Sequence, residues 1–146
     1  TVYYDKLPDY FMEFDIYDKT KKVFLSTQKR KEMLKEFPFV HSVLVLFEGI
    51  ITEYKQMIGL MNKSNFMTPD FVLNLQQSVE KQGLSFDKVK KETDLTGIME
   101  GLYIKVEEDG IVKERLKYVR NTFLNSILDS ETHWSERPII KNKLIE

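Results

Sequence analysis

The sequence predicts an α+β domain, on three observations. Short apolar or alternating runs of strand length, such as residues 10–17 and 42–47, interleave with runs at helical spacing, such as 54–61 and 71–82. An Asp-Gly pair at 109–110 stands between two alternating runs, a signature of antiparallel pairing through a two-residue turn. No internal repeat or low-complexity segment interrupts the pattern, so the layers are mixed rather than solenoid. The 146 residues are one domain's worth of chain, enough for a core without disulfide or metal staples.

Taken in order, "YFMEFDIY" at 10–17 is aromatic and alternating and reads as a strand. "DKTKK" is a polar turn and "VFLS" a second strand, so residues 10–26 form a hairpin with a loop longer than two residues. Ser26 or Thr27 caps "TQKRKEMLKEF", a short polar helix with Met33, Leu34 and Phe37 on one stripe, ending before Pro38. "HSVLVLFEG" is continuously apolar, the pattern of a strand buried on both faces and closed by Gly49. "TEYKQMIGLMNKS" follows with Thr52 as its cap. "TPDFVLNLQQSVEKQG" carries a full set of helix signals, Thr68 before Pro69, Asp70 in the first turn and Gly83 past the end. "SFDKVKKETD" adds a helical turn. After the Asp-Gly hairpin, "NTFLNSILDS" from Asn121 reads as a last helix and "HWSERPIIKNKLIE" as a mixed tail.

Composition narrows the function. Against 23 Asp and Glu stand 22 Lys and Arg, so no global positive field attracts a polyanion and any nucleic-acid partner needs a local patch. The chain has no cysteine, which removes disulfides, thiolate zinc sites and thiol catalysis and fits a reducing compartment. The longest apolar run falls well short of the roughly 20 residues that span a bilayer. A soluble, cytoplasmic protein is therefore expected. The first residues, "TVYYDKLPDYF", show neither Met nor a secretory leader, which reads as a processed product or a piece of something longer.

The hairpin at 99–120, "MEGLYIKVEEDGIVKERLKYVR", is densely charged. With a two-residue turn, 108 faces 111 and 100 faces 119. That register puts Glu100, Leu102, Ile104 and Val106 on one face with Lys113, Arg115, Lys117 and Val119; Tyr103, Lys105 and Glu107 take the other with Val112, Glu114, Leu116 and Tyr118. Glu100 and Lys117 become diagonal neighbours able to reach one small anionic group or its metal ion. The same charges also read as solvated cross-strand ion pairs.

Three motifs in order carry a family resemblance. "MEGLYIKVE" at 99–107 resembles the Glu-Gly-φ-φ-φ-Lys motif (φ apolar or aromatic) of the covalent nucleotidyltransferases, the ATP-dependent DNA and RNA ligases and mRNA capping enzymes. "RLKYVR" at 115–120 resembles their following lysine motif, and "DYFMEFDIYD" at 9–18 their Phe-Asp-Ile strand against the adenine. With "FLS" at 24–26 the chain looks most like an RNA ligase from about Tyr3 to Phe123, and the resemblance implies an antiparallel-sheet nucleotidyltransferase fold, ligase-like, capping-enzyme-like and ATP-grasp-like. It implies ATP and Mg²⁺ as cofactors, transfer of AMP from a lysyl-adenylate to a 5′-phosphate, and sealing by a 3′-hydroxyl of RNA. Glu100 would be a catalytic residue and a ligand of the Mg²⁺. Lys117 would be catalytic as well, binding the α-phosphate, Phe14 would stack on adenine with Asp15 orienting the site, and Lys105 would assist at the phosphates if a bulge near Gly101 flips its strand. Arg115 or Arg120 would supply the charge of a second motif lysine, replaced here by Val119.

The nucleophile's Lys-x-Asp-Gly motif and the Gly-Glu strand of the family are missing from the 146 residues. Residues 1–146 therefore read as a partial nucleotidyltransferase domain, incomplete at its N-terminus, with the lysine supplied by an upstream segment or a second chain and this chain alone inactive. Plainer readings stand beside these: Phe14 as a core aromatic, Asp15 as a turn cap, Glu100 as a lysine's partner. DNA ligation, capping, or a non-catalytic binding module on the same scaffold are the alternatives. His41 and His133 lack carboxylates at metal-ligand spacing, His133 and Trp134 read as a packing pair, and no Gly-rich phosphate loop or Gly-x-Ser-x-Gly elbow occurs. "KTKK" at 19–22 and "KRK" at 29–31 are solvated runs or contacts to a polynucleotide backbone.

Overall fold

The computed structural model describes residues 1–128 and 132–146, with the side chains of 126–128 and 134 left aside. The chain divides into two compact units that interleave along the sequence: Thr1–Tyr10, Met61–Glu100 and Val119–Glu146 form one, and Phe11–Leu60 with Gly101–Tyr118 form the other. No described helix is long and apolar enough to cross a membrane.

In the unit built from Phe11–Leu60 and Gly101–Tyr118, the expected strand at 10–17 splits in two. β1 (Met12–Glu13) pairs in parallel with β4 (His41–Ser42), whereas β2 (Tyr17–Asp18) pairs antiparallel with β3 (Val23–Phe24). Between them the chain changes partners: the Phe14 carbonyl accepts from Lys105 Nζ, and the Ile16 carbonyl from the Leu25 amide at 2.9 Å. The sheet expected to be antiparallel is thus realised as three two-stranded sheets, one of them parallel, among the described residues.

α1 (Thr27–Leu34) starts where expected, with Ser26 Oγ accepting from the Lys29 amide, but stops short of Phe37. Its expected stripe is not its buried side. Met33 is 48% and Phe37 43% exposed, while Arg30 is the buried residue of α1. The cause is Glu13, whose buried carboxylate takes Arg30 Nε at 2.6 Å, Arg30 Nη2 at 2.8 Å and Ser42 Oγ at 2.8 Å. A buried carboxylate must be paired, and that requirement outranks hydrophobic periodicity in a short helix.

The expected strand buried on both faces at 41–49 is also corrected. Pairing ends at the Val43 amide, which donates to the Glu13 carbonyl at 2.8 Å, and Val43 to Phe47 remain 39–54% exposed. Among the described residues no second strand lies against this run. α2 (Tyr54–Ile58) is shorter than expected and begins after Glu53 rather than Thr52, whose amide instead donates to Gln56 Oε1.

The Asp-Gly hairpin forms as β5 (Gly101–Glu108) and β6 (Ile111–Val119). Asp109 and Gly110 have φ of 53° and 76°, the left-handed pair that a type I′ turn needs. The turn is seated on β3 by a Leu25–Ile111 bridge and by the Ser26 amide donating to the Gly110 carbonyl at 3.0 Å. At the hairpin's foot, however, the Arg120 amide donates to the Glu100 carbonyl at 2.9 Å, one residue beyond the Val119 that the plain register sets there. One more residue therefore lies between turn and foot on the β6 side than on the β5 side, the mark of a bulge. The slip corrects the face assignment. Leu102, Ile104 and Val106 now share a side with Leu116 and Tyr118, and Tyr103 and Lys105 share theirs with Arg115 and Lys117, so the diagonal pairing of Glu100 with Lys117 that the plain register gave does not hold.

In the other unit, α3 (Phe71–Lys81) and α4 (Phe86–Lys91) form in the expected stretches, and Gly83 ends α3 with φ of 70°, but α3 starts one residue after Asp70, which therefore precedes its first turn and makes no side-chain cap bond. Tyr3, Leu75, Val79 and Val89 make the core, with Leu84, Phe86, Leu95 and Ile140 packed on it. Buried Asp5 ties the first residues to the start of α3, accepting from the Thr68 amide and Asn74 Nδ2 at 2.7 Å each and from the Thr68 hydroxyl. α5 (Asn121–Leu128) realises the last expected helix, whose residues 129–130 lie outside the described residues. A short 3₁₀ turn covers Trp134–Glu136; the expected His133–Trp134 packing involves a side chain outside the description.

Candidate functional site

Asp15 is the hub of the site, because the partner switch between β1 and β2 turns it onto the charged side of the hairpin. Its Oδ2 accepts from the Tyr103 hydroxyl at 2.7 Å and has Arg115 Nη1 at 3.9 Å; Lys105 Nζ stands 2.8 Å from Oδ1. The Asp15 and Lys105 side chains are each only 10% exposed. Their contact is a charge pairing without an aligned hydrogen bond, since Oδ1 is buried and otherwise unsatisfied. Lys105 Nζ directs a bond to the Phe14 carbonyl instead and lies 5.4 Å from the Tyr103 ring centre. Burial, and then the bond to the Asp15 carboxylate, push the Tyr103 phenol up, so it remains a donor near neutral pH.

Phe14, 52% exposed, meets Tyr103 edge-on at 5.7 Å and an interplanar angle of 88°. A half-exposed ring fixed this way can take a planar base on its open side. Arg115 lays its guanidinium 4.0 Å from the Phe24 ring centre. Lys117 follows two residues later, exposed, with no hydrogen bond or ion pair among the described residues. Phe14, Asp15, Lys105 and Arg115 are thus brought together, with Lys117 on the same row of β6.

Glu100 belongs to the other unit. There its Oε1 accepts the Tyr4 hydroxyl, whose ring stands edge-on to Phe66 at 6.0 Å. Burial, followed by that bond to Glu100, raises the Tyr4 phenol far above its usual range and keeps it a donor. Arg120 is committed in the same unit, to Asp94, to Thr122, to Thr96 Oγ1 at 3.2 Å and to the Met99 carbonyl at 3.2 Å. Its charge is thus committed to these partners. No described group of three His, Cys, Asp or Glu could cage a metal ion. A single carboxylate fits Mg²⁺ all the same, because that ion keeps several waters and takes its other ligands from phosphate.

Residues matching the family model for RNA ligases run from 1 to 119. The chain belongs to the RNA ligase family. The match takes in Phe14, Asp15, Glu100, Lys105, Arg115 and Lys117, and ends before Arg120. No curated protein and no solved structure matches the chain. Membership of the RNA ligase family points to ligase-type function with RNA as the substrate class. Sequence reasoning missed Tyr103 as the partner of Asp15 and Tyr4 as the partner of Glu100. Tyr103 was legible, since it precedes Lys105 by the two-residue period of a strand; nothing in the sequence marks Tyr4, which meets Glu100 across 96 residues.

Proposed function

We propose that this chain carries the nucleotide-binding part of an ATP-dependent RNA end-joining enzyme. The observation that supports it best is the meeting of Phe14, Asp15, Lys105 and Arg115 on one side of the hairpin, all within the stretch matching the RNA ligase family. On this reading Phe14 stacks on the adenine, and Asp15 holds Lys105 and Tyr103 in place beside it. Lys117 meets the α-phosphate as a compact point charge. Glu100, oriented by Tyr4, offers a carboxylate oxygen to Mg²⁺. When bound, the ion would neutralise phosphate charge as AMP is transferred. The nucleophilic lysine comes from outside these residues, since no Lys-x-Asp-Gly occurs among the 146.

ATP labelled at its α-phosphate tests this. The 146-residue chain is incubated alone and as a longer polypeptide including any residues encoded before Thr1. Covalent label only on the longer polypeptide, followed by joining of 5′-phosphorylated RNA ends, is the expected result. Label on neither favours a non-catalytic binding module, and joining of DNA but not RNA would assign the acceptor to DNA.

A further inference from the structure

We propose that the β2–β3 hairpin is a platform for single-stranded RNA, distinct from the open face of Phe14 but sharing Arg115 with the cluster around Asp15. The register pairs Tyr17 with Phe24 and Asp18 with Val23, so residues 19–22 are the loop and Tyr17 and Phe24 stand side by side beneath it. Their rings are 4.9 Å apart at 53°. Phe24 is half-buried and carries the Arg115 guanidinium, which leaves Tyr17, 47% exposed, as the outward ring.

Above the rings the loop is basic and ordered. The Asp18 carboxylate accepts from the amides of Thr20 and Lys21, both at 2.9 Å, fixing the turn from within. Lys19, Lys21 and Lys22 are all exposed, with no ion pair among the described residues. Lys22 also sits at φ of 56°, a conformation that glycine or asparagine adopts more readily. Strain retained at a charged, exposed loop position points to a use for that side chain.

An aromatic face next to a guanidinium and a row of lysines matches unstacked bases on a phosphate backbone. A duplex presents its phosphates but hides its base faces, so the platform fits a single strand. The choice of RNA rests on the RNA ligase reading, which supplies the polyanion that the lysines complement.

The test is a fluorescence-anisotropy titration of the 146-residue chain with a short labelled single-stranded oligoribonucleotide over a range of salt. Tyr17→Ala is expected to weaken binding about tenfold, on the scale of one lost stacking contact, and Tyr17→Phe to preserve it. The double change Lys21→Ala with Lys22→Gly is expected to flatten the slope of log affinity against log salt by about 1.4, the amount for two phosphate contacts on a single strand. Because glycine relieves the backbone at 22, Lys22→Gly alone should hold or raise the thermal midpoint while lowering affinity. Affinity unchanged in these variants, or no binding by the wild-type chain, overturns the platform. Label transfer from ATP reports separately: its absence with Tyr17-dependent RNA binding removes the ligase reading and keeps the platform, and the converse removes only the platform.

Discussion

Arg30 clamps Glu13 through two bonds, 2.6 Å and 2.8 Å long, at a place where their side chains are 6% and 7% exposed. The pair joins α1 to β1, and Ser42 of β4 completes it. Removing either partner strands the other charge in the interior. Arg30→Ala and Glu13→Ala are each expected to cost about 3–5 kcal/mol of stability, read by urea unfolding. A cost below about 1 kcal/mol would mean that water replaces the lost partner.

The same pair fixes a pH dependence. Burial alone would raise Glu13, but the hydrogen bonds from Arg30 and Ser42 outweigh it and hold the carboxyl below its ordinary 4.5. Asp5 behaves alike: burial opposes, and the Thr68 and Asn74 bonds bring it below 3.8. A carboxylate depressed by folding contributes its stability above the unfolded value and loses it as pH falls through the folded one. Unfolding free energy should therefore be flat above about pH 5.5 and fall below the ordinary carboxylate range. Glu13→Gln, whatever its stability at neutral pH, should show a shallower acid limb.

Asp15 and Lys105 are coupled at 2.8 Å, so their substitutions should not add. Asp15→Ala and Lys105→Ala are each expected to destabilise, and the double variant to lose less than the sum by about 0.5–3 kcal/mol. Strict additivity in a thermodynamic cycle would show the contact to be energetically empty.

In a polypeptide that accepts label from ATP, Glu100→Ala and Lys117→Ala are expected to lower adenylation at least about 100-fold, the size of a lost transition-state contact. Glu108→Ala, in the strand end beside the turn, should leave it unchanged. Tyr4→Phe should slow it less than Glu100→Ala does, because it frees the carboxylate's orientation without removing the charge. Equal rates in all four variants would refute the assignment.

Gly110→Ala places a methyl group at φ of 76° and against the end of the Lys29 side chain. A lysine terminus can swing away, whereas the backbone cannot. The expected loss is about 1–2 kcal/mol, and Lys29→Ala in the same molecule should not restore it. Full rescue would locate the penalty in the side-chain clash.

What was legible in the sequence was whatever local chemistry decides. Pro69 and Gly83 bound α3, and Asp109-Gly110 dictates its turn whatever surrounds it. The errors came where a distant partner decides. Nothing near 43–47 says whether a second strand lies beside that run, and nothing within α1 says that Glu13 will draw Arg30 inward. Among the site residues, Phe14 and Asp15 were visible through their motif, but their meeting with Lys105 and Arg115 hangs on a single extra residue in β6. A period-two reading carried through that bulge puts each residue beyond it on the wrong face.

The interleaving of the two units has a consequence for how this chain can be handled. The path passes from one to the other four times, between residues 10 and 11, 60 and 61, 100 and 101, and 118 and 119. Neither half can be cut out as one uninterrupted fragment, so truncation is a poor way to assign activities to it. Each must close over long stretches of sequence belonging to the other, a demand that slows folding relative to a chain with local closures. Dissection by point substitution, with every crossing left intact, is the route that respects the topology.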